Sequence, residues 1–156
     1  MTSRQVFIYG ASGFGREVAW LLEECVRDGM GYTILGFIDD DTARHGTVLN
    51  SHTLMGIDRA AAKYPMAGIV SGIGNPIFRK ATMENAKRYG FSFETVIHPN
   101  VRRSERIEIG EGTVICAGNT LTTNIVLGCH VQINLNCTIG HDAVLGDFTT
   151  LSPGVH

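Results

Sequence analysis

Residues 109–156 read IGEGTVICAGNTLTTNIVLGCHVQINLNCTIGHDAVLGDFTTLSPGVH, and the spacing in this stretch decides the fold. An aliphatic side chain returns at every sixth position, through Ile109, Ile115, Leu121, Leu127, Ile133, Ile139, Leu145 and Leu151. Four residues after each stands Thr113, Asn119, Ile125, Val131, Cys137, Ala143, Thr149 or Val155, mostly small or β-branched. A period of six fits neither a helix, at about 3.6, nor a two-faced strand, at about 2. It is the signature of a parallel β-helix built from hexapeptides. Each hexapeptide forms one side and one corner of a triangular prism, with positions one and five pointing inward. Gly110, Gly128, Gly140 and Gly146 follow the aliphatic residue, where a corner or a close approach suits a residue lacking Cβ. Upstream the register continues through Ile97 and Val101, breaks at Arg103 and recovers at Ile107, giving a little over three coils. Hexapeptide helices wind left-handed, against the usual crossover rule, although the period itself does not show the hand.

Upstream of residue 96 the pattern changes to strands alternating with helices, which implies a parallel sheet with helices on its faces. Gln5–Tyr9 reads as a buried strand and Arg16–Val26 as a helix with Val18, Leu21, Leu22 and Cys25 on one face. Thr33–Ile38 reads as a second strand, Thr42–Ser51 as a polar loop, and Asp58 as the cap of a short helix ending at Lys63. Ala67–Ile73 is a third strand. Asn75-Pro76 opens a helix that Gly90 stops, and Phe91–Ile97 is a fourth strand. The expected architecture is a Rossmann-like α/β domain, residues 1–96, followed by a left-handed parallel β-helix, residues 97–156.

Bulk properties narrow the function. A net charge of −2 and a pI near 6.3 give no electrostatic reason to expect nucleic acid or an anionic membrane. The four cysteines, Cys25, Cys116, Cys129 and Cys137, show no CxxC spacing and read as reduced thiols, with Cys137 facing inward. No run approaches the ~20 apolar residues of a membrane span, so a cytoplasmic protein is expected.

Three signals fall at strand C-termini on one edge of the expected sheet. GASGFG, residues 10–15, follows the first strand and opens a helix, where free N–H groups and the helix dipole suit an anion. Asp39 and Asp40 end the second strand, about 20 residues past the glycines, where an acid accepts from a ribose hydroxyl. Gly72-Ile-Gly74-Asn75 ends the third. A tight structural turn or a solvated acidic loop would produce either of the first two alone; their coincidence favours a ligand. The strand count leaves room for one nucleotide rather than a dinucleotide, and nothing supplies a hydride-transfer site. In the coils, His141 stands at an outward position beside Asp142, a pairing that fixes a tautomer and raises basicity. An arbitrary His-Asp pair is more often plain surface. His130 has no adjacent acid. His130, His141 and His156 occupy unequal positions in their hexapeptides, a poor pattern for a metal, and none is expected.

IYGASGFGREVA, FIDDD, GIGNPIFRK, IHPNV and NCTIGHDAVLGDFTTLSPGVH together resemble the bacterial sugar-nucleotide O- and N-acetyltransferases of surface glycan synthesis, of the sialic acid, bacillosamine and perosamine type. The resemblance implies acetyl-CoA as co-substrate and a UDP-, GDP- or dTDP-linked amino sugar or sialic acid as acceptor. It implies His141 as general base, Asp142 as its orienting partner, and Asn134 near the acetyl donor. It places the nucleotide against Gly10, Ser12, Gly13, Asp39, Asp40, Gly74 and Asn75. It also implies a homotrimer, in which the glycine turn of one subunit serves the histidine of another. Relatives often carry histidine where this chain has Phe14, and some carry a second histidine at Thr150, which bears on the sugar rather than the class. The family continues for several more coils, so this chain is expected to be a truncated form. It should bind sugar nucleotide with weak or no transfer, and a non-catalytic sugar-nucleotide-binding module is the alternative.

Overall fold

The computed structural model describes residues 3–156, which divide into two compact units between Glu94 and Thr95. In the first, β1 (Arg4–Tyr9), β2 (Tyr32–Ile38), β3 (Val48–Leu49), β4 (His52–Met55), β5 (Gly68–Ser71) and β6 (Ser92–Phe93) form one sheet in the order β3-β4-β2-β1-β5-β6. All neighbours are parallel except β3 and β4, so the sheet is mixed at one edge. The helices α1 (Gly13–Arg27), α2 (Ile57–Lys63) and α3 (Pro76–Arg88) connect the parallel strands. Val6, Phe7, Ile8 and Tyr9 of β1 are all buried, as expected for a strand covered on both faces. Val18, Leu21, Leu22 and Cys25 form the buried stripe of α1, together with Ala19. Each large aliphatic among them contributes about 1.5–3 kcal/mol by leaving water.

Three local expectations are corrected here. The segment read as a loop holds a short 3-10 turn at Thr42–Arg44 and the β3–β4 hairpin. Asn50 and Ser51 both take positive φ, 48° and 67°, which matches a two-residue type I′ turn. Asp58 does not cap α2: Gly56 is the N-cap, without a side-chain bond, and Asp58 lies in the first turn. There its carboxylate faces the helix dipole and accepts a 2.6 Å hydrogen bond from Tyr89 Oη. The expected strand Phe91–Ile97 is divided. Ser92–Phe93 joins the sheet as β6, whereas β7 (Val96–Ile97) pairs inside the second unit, and the units divide at Glu94/Thr95 rather than at 96/97.

The second unit is the expected left-handed parallel β-helix. Its strands are β7, β8 (Arg102–Arg103), β9 (Ile107–Ile109), β10 (Val114–Ile115), β11 (Thr120–Leu121), β12 (Ile125–Leu127), β13 (Gln132–Ile133), β14 (Thr138–Ile139), β15 (Val144–Leu145) and β16 (Thr150–Leu151). They form three parallel sheets, β7-β10-β13-β16, β8-β11-β14 and β9-β12-β15, one for each side of the prism. Partners are 18 residues apart, as in Ile97↔Ile115, Ile115↔Ile133 and Ile133↔Leu151, so three hexapeptides make a coil. Positions one and five fill the interior: Ile115, Leu121, Leu127, Ile133 and Ile139 pack with Ile125, Val131 and Cys137. Arg103, which replaces the aliphatic in the first coil, is exposed.

The corners lie elsewhere than expected. The left-handed backbone falls at position four of the hexapeptide, at Gly112, Gly118, Asn124, His130, Asn136, Asp142, Phe148 and Gly154. Gly110 and Gly128 serve close approach instead: a Cβ on Gly110 would press on Gly128 and Cys129, and one on Gly128 on Gly146 and Asp147. Gly140 and Gly146 face open space. Asn, Asp and His tolerate the left-handed region better than most side chains, which explains His130 as a corner. Its ring stacks on Phe148, one coil away, at 4.9 Å between centroids.

Candidate functional site

In the first unit the parallel register brings the C-termini of β1, β2 and β5 together. Gly10 N donates to Ile38 O, and Gly72 N donates to Tyr9 O, both at 2.8 Å. The glycines of the turn have separate jobs. Gly10 takes φ +104°, closed to most side chains. A Cβ on Gly15 would overlap the Gly10 carbonyl, and one on Gly72 would meet Gly10 O at 2.6 Å and Gly15 Cα at 2.7 Å. These three pack backbone against backbone. Gly13 is exposed, its nearest neighbour for a Cβ being Arg16 Nη2 at 3.9 Å. Ser12 is the N-cap of α1 yet makes no side-chain capping bond. The turn therefore presents the first N–H groups of α1 and the Ser12 hydroxyl at an open face. A groove of about 490 Å³ beside it is lined by Gly13, Arg16, Glu17, Trp20 and Asn50.

Asp39 and Asp40, adjacent in sequence, are used differently. Asp39 accepts from Asp41 N at 2.9 Å and from Arg44 Nη1 at 3.0 Å, so both its oxygens are engaged. Arg44 Nη2 also donates to Ala11 O at 3.2 Å, which braces the glycine turn against the end of β2. Asp40 is exposed, and its Oδ1 accepts from Tyr9 Oη at 2.7 Å. Tyr9 Oη in turn accepts from Asn85 Nδ2 at 3.2 Å. Burial, then the Asp40 carboxylate, raises the pKa of the Tyr9 phenol far above its ordinary value, so it stays a donor.

Asn75 spends its Oδ1 on capping α3, accepting from Ile77 N at 2.9 Å and Phe78 N at 3.2 Å, which leaves its amide NH₂ exposed. One turn on, Arg79 is fully buried and donates from Nη1 to Ile73 O at 3.1 Å and Gly74 O at 3.0 Å. Burial pulls this guanidinium down to about 10, still high enough to remain charged near neutral pH. Arg79 thus pins the Gly72–Asn75 turn from beneath. Arg44, Tyr9, Asn85 and Arg79 were all missed by sequence reasoning. An arginine in an amphipathic pattern is ordinarily assigned to solvent, and no spacing marks it as buried.

In the second unit His141 and Asp142 are both exposed, at 78% and 68% of their side chains, with His141 Nδ1 and Asp142 Oδ2 2.7 Å apart. The hydrogen bond with His141 holds the Asp142 carboxyl below the usual carboxylate range, so Asp142 is an acceptor and Nδ1 carries the proton. With Nδ1 engaged by Asp142, Nε2 is the ring nitrogen left open on this exposed side chain. Asp142 also occupies a left-handed corner, φ 62°, above the corner residue Asn124, so its backbone role and its carboxylate role coincide. Asn134 lies on the adjacent side of the prism from His141, just past β13. Its Oδ1 accepts from Leu135 N at 2.8 Å, and no hydrogen bond links it to His141 among the described residues. His130 and His156 stand apart from His141: His130 is stacked on Phe148, and His156 Nδ1 is 2.8 Å from Thr138 Oγ1. Among the described residues no three His, Cys, Asp or Glu side chains gather as a metal site. Among the described residues no helix is long and apolar enough to cross a membrane.

Comparison with known proteins fits this division. The family model of the PglD N-terminal domain matches residues 5–86. The GDP-perosamine N-acetyltransferase of Escherichia coli O157:H7 is 28% identical over 150 residues, which cover 94% of this chain and 66% of that protein. Among solved structures, the acetyltransferase domain of PglB from Neisseria gonorrhoeae FA1090, in complex with acetyl coenzyme A, superposes with a TM-score of 0.84 at 31% identity. The match covers 97% of this chain and 72% of that one. PerB from Caulobacter crescentus, in complex with CoA and GDP-perosamine, gives a TM-score of 0.79 at 25% identity, covering 96% and 69%. This chain spans slightly less than two thirds of the curated relative's length. With more than half of its residues matching the family model and the whole fold shared with these enzymes, the chain belongs to the PglD-type family of sugar acetyltransferases.

Proposed function

We propose that the protein transfers an acetyl group from acetyl-CoA to an amino or hydroxyl group of a nucleotide-linked sugar in surface glycan biosynthesis, with His141 as general base. The observation that carries the reading is the 2.7 Å bond between His141 Nδ1 and Asp142 Oδ2, which leaves Nε2 open on an exposed face. In the reaction the acceptor nitrogen or oxygen attacks the thioester carbonyl carbon while Nε2 takes its proton. The tetrahedral intermediate then expels CoA thiolate, breaking the C–S bond, and the imidazolium returns the proton to sulfur. No acyl-enzyme is needed. Asp142 holds the reactive tautomer and stabilises the imidazolium as it forms. Asn134 is assigned to the acetyl-donor side. Ser12, Gly13, Asp40, Gly74 and Asn75 are assigned to the nucleotide, with Gly10 and Asp39 shaping the turn and strand end that present them.

An amine is the first acceptor to assay, because the relatives include a GDP-perosamine N-acetyltransferase. The same reading makes the protein a cytoplasmic homotrimer, which light scattering on the purified chain checks. The decisive experiment measures CoA release with GDP-, UDP- and dTDP-linked 4-amino sugars. His141→Ala should cut turnover by ~10²–10⁴ while leaving sugar-nucleotide binding intact. Equal turnover by the variant would remove His141 from the mechanism.

A further inference from the structure

Tyr9 is a buried tyrosine at the C-terminus of β1, 2% exposed, and its hydroxyl has one proton to give. Asn85 Nδ2, reaching across from α3, donates to that oxygen at 3.2 Å and so fixes its proton toward Asp40 Oδ1, 2.7 Å away. The phenol ring has no room to swing, because it is buried in the core. One oxygen of Asp40 is thereby clamped, and Oδ2 is held toward solvent with no hydrogen bond to it among the described residues. Asp39 cannot take this part, since both of its oxygens are engaged by Asp41 N and Arg44.

We infer that Tyr9 and Asn85 are positioning residues that aim Asp40 Oδ2 at the ribose hydroxyls of the bound nucleotide, while Asp39 acts only as a brace for Arg44 and the glycine turn. The inference rests on the nucleotide reading proposed above and divides its two acids into one that reads the ligand and one that does not. A carboxylate held at one oxygen by a rigid phenol loses little further freedom when its other oxygen accepts from a hydroxyl. Without the clamp the side chain retains its rotamers, and each binding event must order it.

Calorimetric titration with GDP and UDP, each against its 2′,3′-dideoxy form, tests this on the wild-type chain, Tyr9→Phe, Asn85→Ala, Asp40→Ala and the pair Tyr9→Phe/Asp40→Ala. Tyr9→Phe should weaken the ribonucleotides about 3- to 10-fold, the span of ordering one freed side chain, and Asp40→Ala about 10- to 100-fold. The Tyr9→Phe loss should vanish in the Asp40→Ala background, which a merely structural role for Tyr9 would not produce. Asn85→Ala should give a smaller loss in the same direction, and it stands in if Tyr9→Phe fails to fold. Dideoxy forms should bind every protein about as weakly as Asp40→Ala binds the ribonucleotides. Wild-type affinity in Tyr9→Phe and Asn85→Ala, or fully additive losses in the pair, would overturn the positioning role while leaving the nucleotide site standing. Equal binding of ribo- and dideoxy forms would overturn the ribose assignment. No binding of either nucleotide by the wild type would overturn the nucleotide reading and the inference together.

Discussion

Asn119 offers the sharpest test of how the coils are held together. It stands at an inward position five, 1% exposed, where most other hexapeptides place an apolar or small residue. Its amide donates to Cys116 O at 2.7 Å and to Asn134 O at 2.8 Å, and its Oδ1 accepts from Cys137 N at 2.6 Å. One side chain thus satisfies three backbone groups in two successive coils, including the carbonyl of Asn134, the residue assigned to the acetyl-donor side. Replacing Asn119 with Ala strands the Cys137 N–H in the prism, at about 1–3 kcal/mol for an unsatisfied buried donor. The two carbonyls, each with a second lone pair, add less, and the lost packing adds more. A total near 3 kcal/mol is expected. Trp20, the only tryptophan, lies in the first unit, so its fluorescence would miss the event. Amide hydrogen exchange at Cys137, read alongside circular dichroism through a urea series, reports on the coils directly. Asn119→Ala should accelerate Cys137 exchange by about 100-fold, the equivalent of that free energy if exchange follows opening of the coils. Wild-type exchange at Cys137, with the transition moved by less than about 1 kcal/mol, would refute the view that this side chain staples the coils.

Other perturbations separate structural from functional roles. Asp142 should titrate below ordinary aspartates by carbon-13 NMR and return toward them in His141→Ala. Because its folded pKa is lowered, any stability it adds is present above the unfolded pKa and lost as pH falls through the folded one; full exposure keeps that contribution small. Gly15→Ala should destabilise the first unit by about 1–3 kcal/mol through overlap with the Gly10 carbonyl, whereas Gly13→Ala should leave melting unchanged within about 0.5 kcal/mol. Equal melting temperatures for the two would contradict the division of labour in the turn. Under brief alkylation read by mass spectrometry, Cys129, half-buried, should label first. Cys25, whose thiol burial pushes up to about 11, should stay unmodified until the chain unfolds.

The fold was legible where a period was long enough to average over local exceptions. Eight consecutive aliphatics six residues apart specify a prism because that geometry turns them all inward, and no helix or flat sheet shares the repeat. The β3–β4 hairpin was invisible for the opposite reason: its strands have two and four residues, and its turn is Asn-Ser rather than the Asn-Gly that marks a type I′ turn. The strand at residues 91–97 misled because apolar, β-prone residues continue on both sides of Glu94, although the two halves pair with different sheets.

Site residues followed the same physical divide. Gly10, Gly13, Asp39 and Asp40 stand out in the sequence because glycine after a strand and acid at a strand end carry a chemical signature in one dimension. What sequence could not show is which of them the fold itself consumes. Gly10 and Gly15 are occupied by backbone packing, Asp39 by Arg44, and the Asn75 oxygen by its own helix. Gly13, Ser12, the free oxygen of Asp40 and the open nitrogen of His141 remain available. What is left to meet a ligand is therefore a set of unspent atoms rather than a set of residue types. His141 illustrates the gain: a histidine beside an aspartate is common on any surface. Here the Asp142 backbone is fixed in a left-handed corner by the coil beneath it, so the carboxylate meets Nδ1 at 2.7 Å without needing the ligand to order it. The repeat that shapes the prism also orients the imidazole proposed as the base, and shifting Asp142 by one residue would lose both the corner and the partner.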